Sequence, residues 1–143
     1  MASSIRVLVV DDYEPFRRFV CSTLGERQDL HVVGQATDGL EAVRRAEELK
    51  PDLVVLDIGL PKLNGIEVAR RIRQLSPSSK ILFLSQNHQL EVVQAALDTG
   101  ALGYVDKTNA QLDLLPAVVF VLRGSDFVSS GIKGWNSSET ENT

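Results

Sequence analysis

The run Leu53-Val54-Val55-Leu56-Asp57-Ile58-Gly59-Leu60-Pro61 sets four consecutive Leu and Val residues before a single carboxylate and a loop punctuated by Gly and Pro. Four branched apolar side chains in a row leave no polar face. That is the pattern of a strand buried on both sides in a parallel sheet covered by helices. Asp57 then stands at the strand's carboxyl end, the edge where open α/β sheets bind ligands. Taken alone, the stretch favours a loop-capping Asp; the rest of the chain overturns that preference.

Outward from this run the chain alternates between strand and helix periodicity. Residues 5–10 form a strand ending at Asp11-Asp12, and Pro15 opens a helix with Phe16, Phe19, Val20, Thr23 and Leu24 on one face and Gly25 as its stop. Residues 30–36 form a second strand, followed by a helix with Leu40, Val43 and Ala46 inward that ends at Lys50-Pro51. After the central run, Asn64 caps a helix carrying Val68, Ala69, Ile72 and Leu75. Residues 81–84 make a fourth strand ending at Ser85, residues 90–99 a helix, residues 103–105 a short fifth strand, and a last helix reaches about Leu122. Five βα units with short right-handed connections imply a doubly wound parallel sheet, a flavodoxin-like (βα)5 fold of strand order 2-1-3-4-5.

Composition narrows the function. A chain of 143 residues that is 43% hydrophobic supports one ordinary core, and a net charge of -4 disfavours a broad nucleic-acid footprint on this segment. No apolar run approaches the roughly 18 to 20 residues of a bilayer span, and no signal-peptide pattern opens the chain, so no membrane association and a cytoplasmic setting are expected. Cys21, the single cysteine, excludes an internal disulfide and a CxxC pair, and reads as a small helix residue. His31 and His88 have no acid or Cys spacing for a metal site and read as surface or strand-edge residues.

In the 2-1-3-4-5 order the switch point lies between the first and third strands, so Asp11 and Asp12 should lie beside Asp57. Three converging carboxylates need a counter-charge, and oxygen-only donors suit Mg²⁺ (or Mn²⁺) better than a softer transition metal. Ser85 adds a hydroxyl from the adjacent strand end, and Lys107 a mobile cation able to neutralise an added anion.

The set Asp11-Asp12, Asp57 with Leu60-Pro61 and Asn64-Gly65, Ser85, and Gly103-Tyr104 with Lys107 resembles the receiver domain of bacterial two-component response regulators over about residues 5 to 123. The resemblance implies that Asp57 is phosphorylated by a sensor histidine kinase. It implies that Asp12, Asp57 and the Gly59 carbonyl hold Mg²⁺ with Asp11 acting through water, and that Ser85 and Lys107 contact the phosphoryl oxygens. Tyr104 would follow Ser85 as a switch residue; its plainer reading is a half-exposed packing residue. Thr108 stands where many receivers have proline, which leaves the isomer of the Lys107–Thr108 bond open. Gln86, where a small residue is common, reads either as a solvent-facing loop residue or as a bulky group narrowing entry.

Other classes fit less well. The turn after the first strand is Asp-Asp-Tyr-Glu-Pro rather than GxGxxG and would repel a pyrophosphate, and Gly59 stands where a haloacid-dehalogenase phosphatase needs a second acid. The runner-up is a receiver-like module that binds partners without phosphorylation. Residues 1–123 are read as the receiver and residues 124–143 as a linker-like tail, with Asn136 to Thr143 too polar to order. The start of that tail resembles the linker of the NarL/FixJ-like subfamily, which implies a DNA-binding output domain if the chain is a fragment. In the last helix no polar side chain occurs between Leu114 and Leu122. Leu112, Leu115, Val119 and Leu122 are expected to face the sheet, with Asp113 capping the helix or a kink at Pro116. That leaves Val118, Phe120 and Val121 to be covered by a homodimer partner, or by Phe127, Ile132 and Trp135 folding back.

Overall fold

The computed structural model describes residues 4–129 and residue 132. The elements follow in the order β1 (Ile5–Val10), α1 (Glu14–Leu24), β2 (Leu30–Ala36), α2 (Gly39–Leu49), β3 (Leu53–Leu56), α3 (Gly65–Leu75), β4 (Lys80–Ser85), α4 (Leu90–Asp98), β5 (Gly103–Asp106), α5 (Ala110–Leu122) and β6 (Phe127–Val128). All strands are parallel, in the order β2-β1-β3-β4-β5-β6. This is the doubly wound flavodoxin-like arrangement, with a sixth strand at one edge.

Alternation along the central strands divides the core into two layers. Val54 and Leu56 point with Phe83 and Tyr104 into the layer under α2, α3 and α4. Leu53 and Val55 point the other way, with Leu82 and Val105, toward α1 and α5. All four β3 residues are buried, as a doubly covered strand requires. Asn64 caps α3 as expected, accepting the Glu67 N–H at 3.1 Å, and Asp38 caps α2 by accepting the Glu41 N–H at 2.8 Å. In α2 Ala42 and Ala46 are buried and Val43 packs against the same layer, as expected for Val43 and Ala46, whereas Leu40 is exposed at 49%. Leu40 sits in the first turn, whose approach to α3 is filled instead by Gly39 packed against the Leu63 backbone.

The last helix departs furthest from expectation. Leu114, Ala117, Val118 and Val121 face the sheet, whereas Leu112 is 79% exposed and Leu115, Val119 and Leu122 are half-buried. A helix apolar all round has no preferred phase in its sequence, so the recess it meets sets the phase. Gly103 on β5 provides that recess, because a Cβ there would lie 2.9 Å from Val121 Cγ2. The helix starts at Ala110 and runs through Pro116, which lies on the exposed side and offers no N–H to the Leu112 carbonyl. Asp113 does not cap it; its carboxylate accepts the Ser129 hydroxyl at 2.8 Å.

Val118 and Val121 are therefore core residues and not a dimer surface. Phe127 packs edge-on against Phe120, ring centroids 5.8 Å apart, so part of the segment after α5 does fold back. Ile132 joins the opposite core layer. Trp135 and the Asn136 to Thr143 stretch lie outside the described residues.

Candidate functional site

Two backbone hydrogen bonds continue the β1–β3 region past its last paired residues and fix the site. Asp57 N–H donates to the Val10 carbonyl at 3.1 Å and Asp11 N–H to the Ala36 carbonyl at 3.1 Å. Asp11 and Asp57 thus leave neighbouring strand ends, and carboxylate oxygens of Asp11, Asp12 and Asp57 lie within 4.8 Å of one another. Asp11 and Asp57 are buried and Asp12 is exposed. The loop after β3 is held in turn, with Gly65 N–H on the Ile58 carbonyl at 2.7 Å. Gly65 permits this because a Cβ there would collide with the Asp57 carbonyl.

Lys107 enters from beyond β5. Its ammonium lies 2.8 Å from Asp11 Oδ2 and 3.5 Å from Asp57 Oδ2, with the side chain only 10% exposed. The Phe16 ring covers it, 4.6 Å from the nitrogen to the ring centroid. The Lys107–Thr108 bond is trans. Asp11 uses its other oxygen to accept Tyr13 N–H at 2.9 Å, which leaves Asp12 the least engaged of the three acids.

Ser85 is buried at the end of β4 and its hydroxyl accepts Asn87 N–H at 3.0 Å. Asp12, Tyr13, Asp57, Ile58, Gly59, Ser85, Gln86, Asn87 and Lys107 line one open cleft of about 690 Å³. Gln86 is exposed at its rim. Tyr104 is not half-exposed: it is fully buried beside Phe83, and its hydroxyl donates to the Asn87 carbonyl at 2.8 Å.

The electrostatics fit a divalent cation. Burial pushes the Asp57 carboxyl above its ordinary range; Lys107 opposes this and Asp11 adds to it. One ammonium against three carboxylates leaves excess negative charge, all of it on hard oxygen donors. Burial likewise raises the Tyr104 phenol, so it stays a neutral donor.

A family description, response regulator receiver domain, matches residues 7–119. The chain belongs to that family. Receiver domains are the phosphoacceptors of two-component systems. This receiver is 37% identical over 121 residues to the response regulator protein VraR of Staphylococcus aureus, covering 85% of this chain and 58% of VraR. The chain thus spans little more than half the length of that relative. Among solved structures, a LuxR-family two-component response regulator from Aurantimonas sp. is 32% identical with a TM-score of 0.88, covering 97% of this chain and 99% of that one. The response regulator domain of Thermotoga maritima CheB is also 32% identical, with a TM-score of 0.77 over 84% of this chain and 97% of its own.

Sequence reasoning missed three residues around this receiver's site. His88, read as a surface or strand-edge residue without the spacing of a metal site, is half-exposed and has its Nε2 2.8 Å from Asp106 Oδ2. Asp106 is buried at the end of β5, one residue past the expected strand end, and Ser129 donates and accepts beside it. The available signal was the Asp-x-Thr spacing of Asp106 and Thr108, which favours a side-chain-capped turn.

Proposed function

We propose that this receiver takes a phosphoryl group from the phosphohistidine of a sensor histidine kinase onto Asp57, and relays it as a rearrangement around Ser85 and Tyr104. The observation that carries the reading is Lys107, whose buried ammonium reaches both Asp11 and Asp57 at the cleft floor. In the transfer, an Asp57 oxygen forms its bond to phosphorus as the P–N bond of the phosphohistidine breaks and the imidazole departs. Lys107 swings its charge from Asp11 toward the incoming oxygens, and the Ser85 hydroxyl donates to one of them.

Mg²⁺ (or Mn²⁺), when bound, neutralises charge on the transferring group. Asp12, Asp57 and the Gly59 carbonyl are the residues to hold it, with Asp11 acting through water because both its oxygens are already engaged. Ser85 gives up Asn87 to reach the phosphoryl group, and Asn87 is also where Tyr104 is anchored, so both switch residues act on one loop. The protein is a signalling phosphoacceptor whose only chemistry is its own phosphorylation and dephosphorylation. DNA contact by a longer protein containing this segment is placed outside it, since the segment's net charge is -4. The described residues contain no helix long and apolar enough to cross a membrane.

The test is labelling by acetyl phosphate or by a kinase with Mg²⁺ present. Wild type takes label and Asp57→Asn takes none. Asp12→Ala weakens Mg²⁺ binding more than Asp11→Ala. Label persisting on the Asp57→Asn variant overturns the assignment of the phosphoacceptor, and a wild type that takes no label leaves the phosphorylation-independent interaction module in its place.

A further inference from the structure

Asp106 is a buried carboxylate, 1% exposed, that phosphoryl transfer at Asp57 does not use. Three separate elements converge on it. From the turn that follows, Thr108 donates its N–H at 3.0 Å and its hydroxyl at 2.9 Å to Oδ1. From the loop between β4 and α4, His88 Nε2 sits 2.8 Å from Oδ2. From beyond β6, the Ser129 hydroxyl accepts Asp106 N–H at 3.0 Å and donates onward to Asp113 on α5.

A carboxylate out of water costs several kcal/mol unless its oxygens are satisfied, and here both are. Burial alone would raise this carboxyl, but the Thr108 and His88 hydrogen bonds outweigh it and hold it below the ordinary aspartate range. Asp106 is therefore ionised at neutral pH. Its grip on Thr108 spans Lys107, closing the single turn over Lys107–Asn109. A lysine stem is flexible, so the place its ammonium reaches depends on the direction in which the backbone launches it.

We propose that Asp106 is a positioning residue for Lys107, fixing through Thr108 and His88 the turn from which the ammonium reaches Asp11 and Asp57. The proposal deepens the phosphoacceptor reading and rests on it for its kinetic consequence. Asp106 acts only through Lys107. Misplacing a charge by about 1 Å is enough to cost on the order of a hundredfold in a positioned reaction.

The experiment uses the full chain with lysine labelled at Cε and Nζ, the Lys107 ammonium signal being assigned with Lys107→Arg. In wild type that signal stands apart from the exposed lysines and exchanges slowly. Asp106→Ala moves it into the exposed-lysine envelope. Asp106→Asn keeps it in place, because an amide oxygen still accepts from Thr108. Thr108→Val shifts it and Thr108→Ser restores it, which carries the test even if Asp106→Ala does not fold.

In parallel, Asp106→Ala lowers the saturating rate of acetyl phosphate labelling by about tenfold or more, while Asp106→Asn stays within about threefold. Mg²⁺ affinity stays near wild type in both. An unmoved Lys107 signal in Asp106→Ala and Thr108→Val overturns the proposal. So does an Asp106→Asn protein that loses as much as Asp106→Ala. A Lys107 signal that moves as expected in a protein that takes no label upholds the placement and overturns the phosphoacceptor reading instead.

Discussion

The carboxyl ends of β1 and β3 and the helix α5 pack on the same sheet, yet they are held in place by opposite means. At the strand ends the backbone decides: the Asp11 and Asp57 amides are tied to neighbouring strands, so their side chains have only one edge to occupy. In α5 the backbone leaves the rotation about the helix axis free, and the fit of Val121 against Gly103 and of Val118 into the core decides it. Polar residues in an apolar strand context can be placed from sequence because burying them elsewhere is costly. A uniformly apolar helix cannot be placed that way, since every rotation buries similar surface.

A charge placed on each face of α5 in turn probes this contrast most severely. Val118→Glu buries an unpaired carboxylate and is expected to cost about 4 kcal/mol or more, a large fraction of the stability of an ordinary domain. Leu112→Glu places the same group in water and should stay within about 0.5 kcal/mol of wild type. Urea denaturation of the two variants separates them. The reverse ranking would restore the rotation that places Leu112, Leu115, Val119 and Leu122 against the sheet.

The residues that could be located from sequence share a physical trait. Asp11, Asp57 and Ser85 each end an apolar run at a strand terminus, Asp12 and Lys107 follow such an end within two residues, and the topology of short right-handed crossovers then gathers them. Asp106 is hidden because its strand is a single residue longer than its apolar run suggests. His88 is hidden because its partner lies in the next strand rather than nearby in sequence. The two-residue strand β6 is too short to show any period, and it is held by Phe127 N–H on Leu102 and Ser129 N–H on Tyr104, each at 3.0 Å. Tyr104 reads as half-exposed because the loop that covers it, through Asn87, has no periodicity that would place it.

The strand-end region can also be tested as a store of electrostatic strain. The Asp57 carboxyl titrates above its ordinary value, burial being the larger cause and Asp11 a further one. A raised carboxyl favours the fold when protonated, and that contribution is lost as pH rises through the folded-state value. At neutral pH ionised Asp57 therefore works against folding. Asp57→Asn should raise the thermal midpoint at pH 7 by about 2 to 6 °C, the shift expected for a gain on the order of 1 kcal/mol in a domain of this size. The advantage should fade below about pH 4, where the wild-type carboxyl is protonated in both states. Millimolar Mg²⁺ should narrow it from the other side by stabilising wild type. A midpoint lowered by Asp57→Asn at pH 7 would show that the Lys107 pairing outweighs the desolvation.

Stability should respond least at Gly59, and there the consequence is kinetic. A Cβ built at Gly59 meets nothing within 4 Å, and the residue lines the cleft beside Asp57. Asn87 faces the same cleft but spends its carbonyl on Tyr104 and its side chain on Gln89 N–H at 2.9 Å. Water approaching a phosphoryl group on Asp57 thus meets no side chain from position 59 and an already engaged one from position 87. Gly59→Asn adds a carboxamide into open space, so unfolding should change by no more than about 0.5 kcal/mol, as for other unstrained surface changes. The same amide can donate to, or accept from, the hydrolytic water, and the phosphoryl half-life should change by about threefold or more, corresponding to less than one net hydrogen bond. Following loss of label from the phosphorylated wild type and Gly59→Asn after removal of donor measures it. An unchanged half-life would show that another group controls that water, and Gln86→Ala at the rim is the next variant to time.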